Sequence, residues 1–171
     1  MTIAERIELT AEQMHIRACD DVNRWRGHCI ELFARIEREA GEALAAMAQA
    51  DDGKRAKVPH MFGDRMKALS AAFAQGGTCP RPKIAKALAD AADLLEQRNR
   101  LVHARSRILL DRDGNWVWQY FFRPSGKPEE SGCVDARKAK DVERALQSAS
   151  QSLCAQLGAL TAKLSHRPAS N

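Results

Sequence analysis

Aromatic residues are scarce, at 5% of 171 residues, and most of them fall between Trp116 and Phe122. Ala, Leu, Ile and Met must therefore build most of any core, a palette that favours helices. No apolar run approaches the length of a membrane span, and Glu5, Arg6 and Glu8 stand where a secretory signal would need apolar residues. The expectation is a cytoplasmic protein with no membrane partner. Cysteine is equally uninformative as a framework: Cys19, Cys29, Cys79, Cys133 and Cys154 form an odd set without a CxxC pair. That spacing argues against a disulfide scaffold and against a zinc site, and fits a reducing compartment. No metal and no cofactor are expected. No internal repeat is present.

What is there is ordinary for a folded chain. The composition is 44% apolar and 29% charged, and the length suits one core rather than two. A single domain over residues 1–171 is expected. The net charge of +5 permits attraction to a polyanion without demonstrating it. Arg outnumbers Lys, and guanidinium forks pair with phosphate, although most such residues simply coat helix surfaces.

Thr10-Ala11-Glu12-Gln13 reads as a capping box at a helix start. Val22, Trp25, Cys29, Leu32, Phe33, Ile36, Ala40, Leu44 and Met47 then recur every three or four residues, which predicts a long amphipathic helix to about Ala50. Asp20-Asp21 either interrupts it or decorates its surface. Asp51-Asp52-Gly53 stops it, and Lys54 to Pro59 reads as a basic loop. A second helix begins near Gly63 or Asp64, packs Met66, Leu69 and Phe73, and ends at Gly76-Gly77. A third, from about Pro82 to at least His103, buries Ile84, Leu88, Ala91, Leu95 and Val102 along one face.

Ile108 to Leu110 and Trp116 to Phe122 flank the turn-forming Asp111-Arg112-Asp113-Gly114-Asn115, which predicts a hairpin. Alternation of Trp116, Trp118 and Tyr120 marks one packed face, in preference to a base-stacking platform. Arg123 to Gly132 reads as an exposed loop. The last helix, capped by Asp135 or Asp141, carries a nearly heptad seam of Val142, Leu146, Ala149, Leu153, Leu157, Leu160 and Leu164, with a frayed tail from His166. The expected fold class is all-α: an antiparallel up-and-down bundle of four to five helices, with a β-hairpin near 108–122 in an insertion at about 107–134.

Chemistry concentrates in Arg98-Asn99-Arg100-Leu101-Val102-His103. Asn99 and His103 are four apart and share a helix face, and the long Arg98 side chain can swing to the same place. A cation, an amide and an imidazole suit RNA transesterification, in which a 2′-hydroxyl loses a proton while charge grows on the phosphate. His103 is the proton carrier, Arg98 the phosphate clamp and Asn99 the orienting group. Arg100 and Arg105 are expected to bind substrate. The competing reading is a solvated helix end, with Arg100 paired to Glu96 and His103 against the helix dipole. Arg55 and His60 repeat the spacing, but Ala56 is apolar and Pro59 breaks the helix. His15, His28, His60 and His166 show no metal-binding spacing.

The segment from Arg98 to His103 resembles the R-polar-x3-H signature of the HEPN domain family, and Met61-Phe62-Gly63 is similar to a turn common in that family. The resemblance covers roughly residues 20 to 165. It implies a helical bundle that forms a homodimer, lining one cleft with two copies of the Arg and His. It further implies a metal-independent endoribonuclease in toxin–antitoxin, defence or RNA-processing systems, with Arg98, Asn99 and His103 as the functional set. RNA is the expected partner, together with a cognate antitoxin or regulatory protein. The family's non-catalytic members imply an alternative, a module that binds RNA, a nucleotide or a protein. Some toxins of the family carry a Tyr two residues after the His and are modified there. Arg105 holds that position here, which removes the basis for such a modification.

Overall fold

A computed structural model describes residues 9–52, 58–75 and 82–166. The first part of the expected basic loop, Lys54 to Lys57, the expected stop at Gly76-Gly77 and the expected frayed tail beyond His166 lie outside the described residues. The chain is mainly helical, with helices α1 (Ala11–Asp52), α2 (Phe62–Gln75), α3 (Pro82–Asp93), α4 (Leu95–His103) and α5 (Ala136–Ser165). Between α4 and α5 lie strands β1 (Arg105–Leu110), β2 (Trp116–Phe122) and β3 (Glu130–Asp135). Among the described residues no helix is long and apolar enough to cross a membrane.

The capping box forms as its residues dictate. The Thr10 N–H donates to Gln13 Oε1 at 2.8 Å, and the Gln13 N–H donates to Thr10 Oγ1 at 3.2 Å. Helix α1 then runs without interruption through Asp20-Asp21, and Asp21 accepts from Arg24 at 3.0 Å on the surface. Its stripe from Val22 to Ala43 is the spine of the core, joined by Leu146, Leu153 and Leu157 of α5.

The long helices do not all alternate in direction. The Trp25 Nε1–H donates to the Ala139 carbonyl at 3.1 Å, and His28 lies 3.4 Å from Glu143. A Cβ on Gly158 would lie 3.8 Å from the Glu39 carboxylate. Positions rise together along both helices, so α1 and α5 are parallel. The antiparallel pass between them is α3–α4, which ends beside Arg26 of α1, close to where α5 begins. Helix α2 is too short for a full pass and packs on the middle of α1. Phe62 meets Phe33 at 6.1 Å, and Arg65 donates to the Glu37 carbonyl at 3.0 Å.

The expected single third helix is two. Leu94 interrupts it, its N–H bonding the Ala91 carbonyl at 3.2 Å in a tighter i→i−3 turn. In a straight helix, eleven residues return to within about 20° of the starting direction, so Val102 would share the buried face of Ala91. The break resets that phase. Leu101 is 0% exposed, and Val102, expected in the core, is 38% exposed.

The expected hairpin is a three-stranded antiparallel sheet in the order β1-β2-β3. Glu130, Ser131 and Gly132, read from composition as loop, pair with Phe122, Phe121 and Tyr120. Their weak β-propensity is overridden by the free edge that β2 offers. Gly132 leaves room there for the Tyr120 ring: a Cβ would stand 2.6 Å from the Tyr120 hydroxyl, so the ring would have to shift. The β1–β2 turn is organised by Asp111, whose Oδ1 accepts from the Asp113 and Asn115 N–H groups at 2.9 and 2.8 Å. Those bonds hold its carboxyl below the usual range. Gly114 completes this turn at φ +79°, and Gly126 serves the β2–β3 turn at φ +73°.

Register sets the two faces of the sheet. Ile108, Trp118 and Val134 are cross-strand partners on the face turned to the core. There Trp118 meets Trp25 edge-on at 5.6 Å and Tyr120 at 5.2 Å, and Trp25 also reaches Trp116 at 5.9 Å. The tryptophan alternation is therefore a packed face. Asp135 is both the last residue of β3 and the N-cap of α5, its carboxylate accepting from the Lys138 N–H at 2.8 Å.

Candidate functional site

The residues singled out in the sequence lie on the short helix α4 and the strand that follows it. Ala104 closes α4 in extended conformation, its N–H donating to the Arg100 carbonyl at 3.1 Å, and the chain passes directly into β1. His103 is thus the last helical residue and is exposed. Asn99 sits one turn before it, half-buried. Arg98 donates from Nη1 to Asn99 Oδ1 at 3.4 Å, at the long end of hydrogen-bonding distance. Among the described residues no carboxylate is paired with Arg98, so its charge is available.

Arg100 is committed elsewhere. Its Nε donates to Glu130 Oε1 at 2.6 Å, and its Nη2 donates to Glu96 Oε2 at 3.2 Å, the pairing of the competing reading. Its guanidinium also lies over the Tyr120 ring at 5.8 Å. The Glu130 bond, opposed by partial burial, holds the guanidinium pKa above its ordinary value. The same bond holds the Glu130 carboxyl below its own. Arg100 therefore ties α4 to β3. Arg105 is exposed and reaches Glu129 at 2.9 Å, a surface pair that contributes little and exchanges readily.

The Arg100–Glu130 pair yields a pH expectation. A carboxylate depressed in the folded state stabilises above the ordinary glutamate value of 4.5 and loses that contribution as pH falls through its depressed value. Glu130→Gln should therefore melt below the parent at neutral pH. The gap between the two melting temperatures should close progressively in acid. A gap independent of pH would remove the ion pair as its cause.

Arg26 escaped the sequence reading. From α1, its Nη2 and Nε donate to the Leu101 carbonyl at 2.6 and 3.3 Å, satisfying an acceptor in the last turn of α4. Its guanidinium lies over Trp118 at 5.3 Å, and burial lowers its pKa. Together Arg26 and Arg100 clamp the turn that bears His103. Neither role was readable locally, because Arg26 stands 75 residues before its acceptor and Arg100 30 residues before Glu130.

Among the described residues no cluster of three or more His, Cys, Asp or Glu side chains is placed to hold a metal. Cys29 is buried in the core, and burial with the nearby Glu143 pushes its thiol up to about 12, which leaves it inert as a nucleophile. What the site offers is an exposed imidazole, an uncommitted guanidinium and an amide on one short, clamped helix. No protein-family model, no curated protein and no solved structure matches this chain.

Proposed function

We propose that this protein is a HEPN-like, metal-independent endoribonuclease acting through Arg98, Asn99 and His103. The observation that carries the reading is the condition of those three groups at the end of α4. His103 is solvent-accessible, Arg98 is unclaimed by a carboxylate among the described residues, and Asn99 touches Arg98. In this reading His103 takes the proton of the 2′-hydroxyl, Arg98 neutralises the phosphate, and Asn99 orients Arg98 on it. The bond from the 2′-oxygen to phosphorus forms as that to the 5′-oxygen breaks, and the departing 5′-oxygen takes a proton from solvent, leaving a 2′,3′-cyclic phosphate and a 5′-hydroxyl. Arg100 braces the helix, and Arg105 remains on the substrate side.

The reading includes a homodimer that brings two copies of Arg98 and His103 to one cleft, and a cytoplasmic toxin–antitoxin or defence setting with a protein antitoxin or regulator. Incubation with mixed RNA in EDTA tests the chemistry directly. Products ending in 2′,3′-cyclic phosphate are expected, and intact RNA at every protein concentration would overturn it. A non-catalytic module using the same face is the second reading. The observation favouring it is that no hydrogen bond orients the His103 ring among the described residues, and its outcome is RNA binding without turnover.

A further inference from the structure

The register that turns Ile108, Trp118 and Val134 inward turns their neighbours outward. Arg107, Gln119 and Cys133 are cross-strand partners on the opposite face, as are Arg105, Phe121 and Ser131. On this outer face Arg105, Arg107, Leu109, Ser131 and Cys133 are exposed, and Val117, Gln119 and Phe121 are half-buried. Its chemistry is uneven. Arg105 and Arg107 are both exposed, and both guanidiniums lie 6.0 Å from the centroid of the single Phe121 ring. That distance is the outer limit of cation–π attraction, so neither guanidinium is closely stacked on the ring. Arg105 has only its exchangeable surface pair with Glu129, and no carboxylate is paired with Arg107 among the described residues.

We infer that this outer face, Phe121 flanked by Arg105 and Arg107, is a stacking platform for single-stranded RNA leading to His103. The inference rests on the proposed RNA-cleaving function and adds the form of its substrate. A planar ring with two cations beside it is complementary to a base with its adjoining phosphates, since the base stacks on the ring and the guanidiniums take the charge. A duplex keeps its base faces stacked inside and cannot use Phe121. The platform also adjoins the chemistry. Arg105 follows His103 by two residues, which places their Cα atoms within about 7 Å. The platform thus begins at the strand end that adjoins the end of α4, where Arg105 pairs with Phe121.

The test uses the full chain carrying His103→Ala, so that the probe stays intact, and a fluorescently labelled uridine oligonucleotide followed by anisotropy across a salt series. Phe121→Leu keeps apolar bulk but removes the ring, and should weaken binding about tenfold or more. Phe121→Trp should retain it, which separates stacking from folding. Arg107→Gln should reduce the slope of log affinity against log salt by about 0.7. Duplex RNA of the same length should bind at least about tenfold more weakly. Unchanged binding by Phe121→Leu, equal affinity for the duplex, displacement by an equal charge of polyglutamate, or absence of RNA binding would each overturn the platform. Its failure is distinct from that of the ribonuclease. Cleavage that needs His103 but ignores Phe121 removes only the platform, whereas Phe121-dependent binding with no cleavage by the parent supports it and removes only the chemistry.

Discussion

His103→Ala is expected to lower RNA cleavage by about 10² to 10⁴, the usual worth of a positioned proton carrier. The effect should fall on turnover more than on binding, because the imidazole acts on a proton that moves only in the transition state. Stability offers no rival explanation. His103 is exposed at the last position of α4, and its interaction with the helix dipole is worth at most about 1 kcal/mol when charged. The variant should therefore melt close to the parent while cutting far more slowly. Initial rates in EDTA, read beside thermal melts, check both halves. Cleavage at the parental rate by a folded variant would reject His103 as the proton carrier.

The largest expected effect on stability is at Trp118. Its side chain is 0% exposed, lies between Trp25 and Tyr120, and supports the Arg26 guanidinium. Trp118→Ala empties the junction of sheet and α1 and should cost about 3 to 5 kcal/mol, a large share of a typical domain's total of about 5 to 15. Urea titration should show a lower midpoint with little change in slope. Trp118→Phe should cost less. It retains aromatic contact and removes an indole Nε1–H that has no acceptor in the structure. An alanine variant within about 1 kcal/mol of the parent would contradict the packing described.

The contrast between what was and was not readable follows sequence distance. The Thr10–Gln13 cap, the α1 stripe and the seam of α5 are local patterns, and each forms from neighbours three or four residues apart. The break at Leu94 has no Gly or Pro to announce it. It accompanies a change of partner, since α3 packs on α5 and α4 on α1. Strand β3 was hidden for a similar reason. Val134 is its one buried side chain, and the remainder is held by the backbone ladder to β2, which leaves no hydrophobic alternation to read.

The candidate site divides along the same line. Arg98, Asn99 and His103 occupy a single helix, and of the three the structure brings Arg98 and Asn99 into contact. The groups that hold that helix, Arg26 and Glu130, come from α1 and β3, and only tertiary pairing brings them in. Phe121 belongs to the same aromatic run as the tryptophans. Register alone shows that Trp118 and Phe121 face opposite ways.

Asp135 joins β3 to α5 with no intervening residue. The rotational setting of the last helix is therefore inherited from the sheet, as a key takes its angle from its bow. One residue added at this junction would turn the whole leucine seam by about 100° about its own axis, swinging Leu146, Leu153 and Leu157 away from α1 although none of them had been altered. Length at this point is as much a part of the core as the leucines themselves.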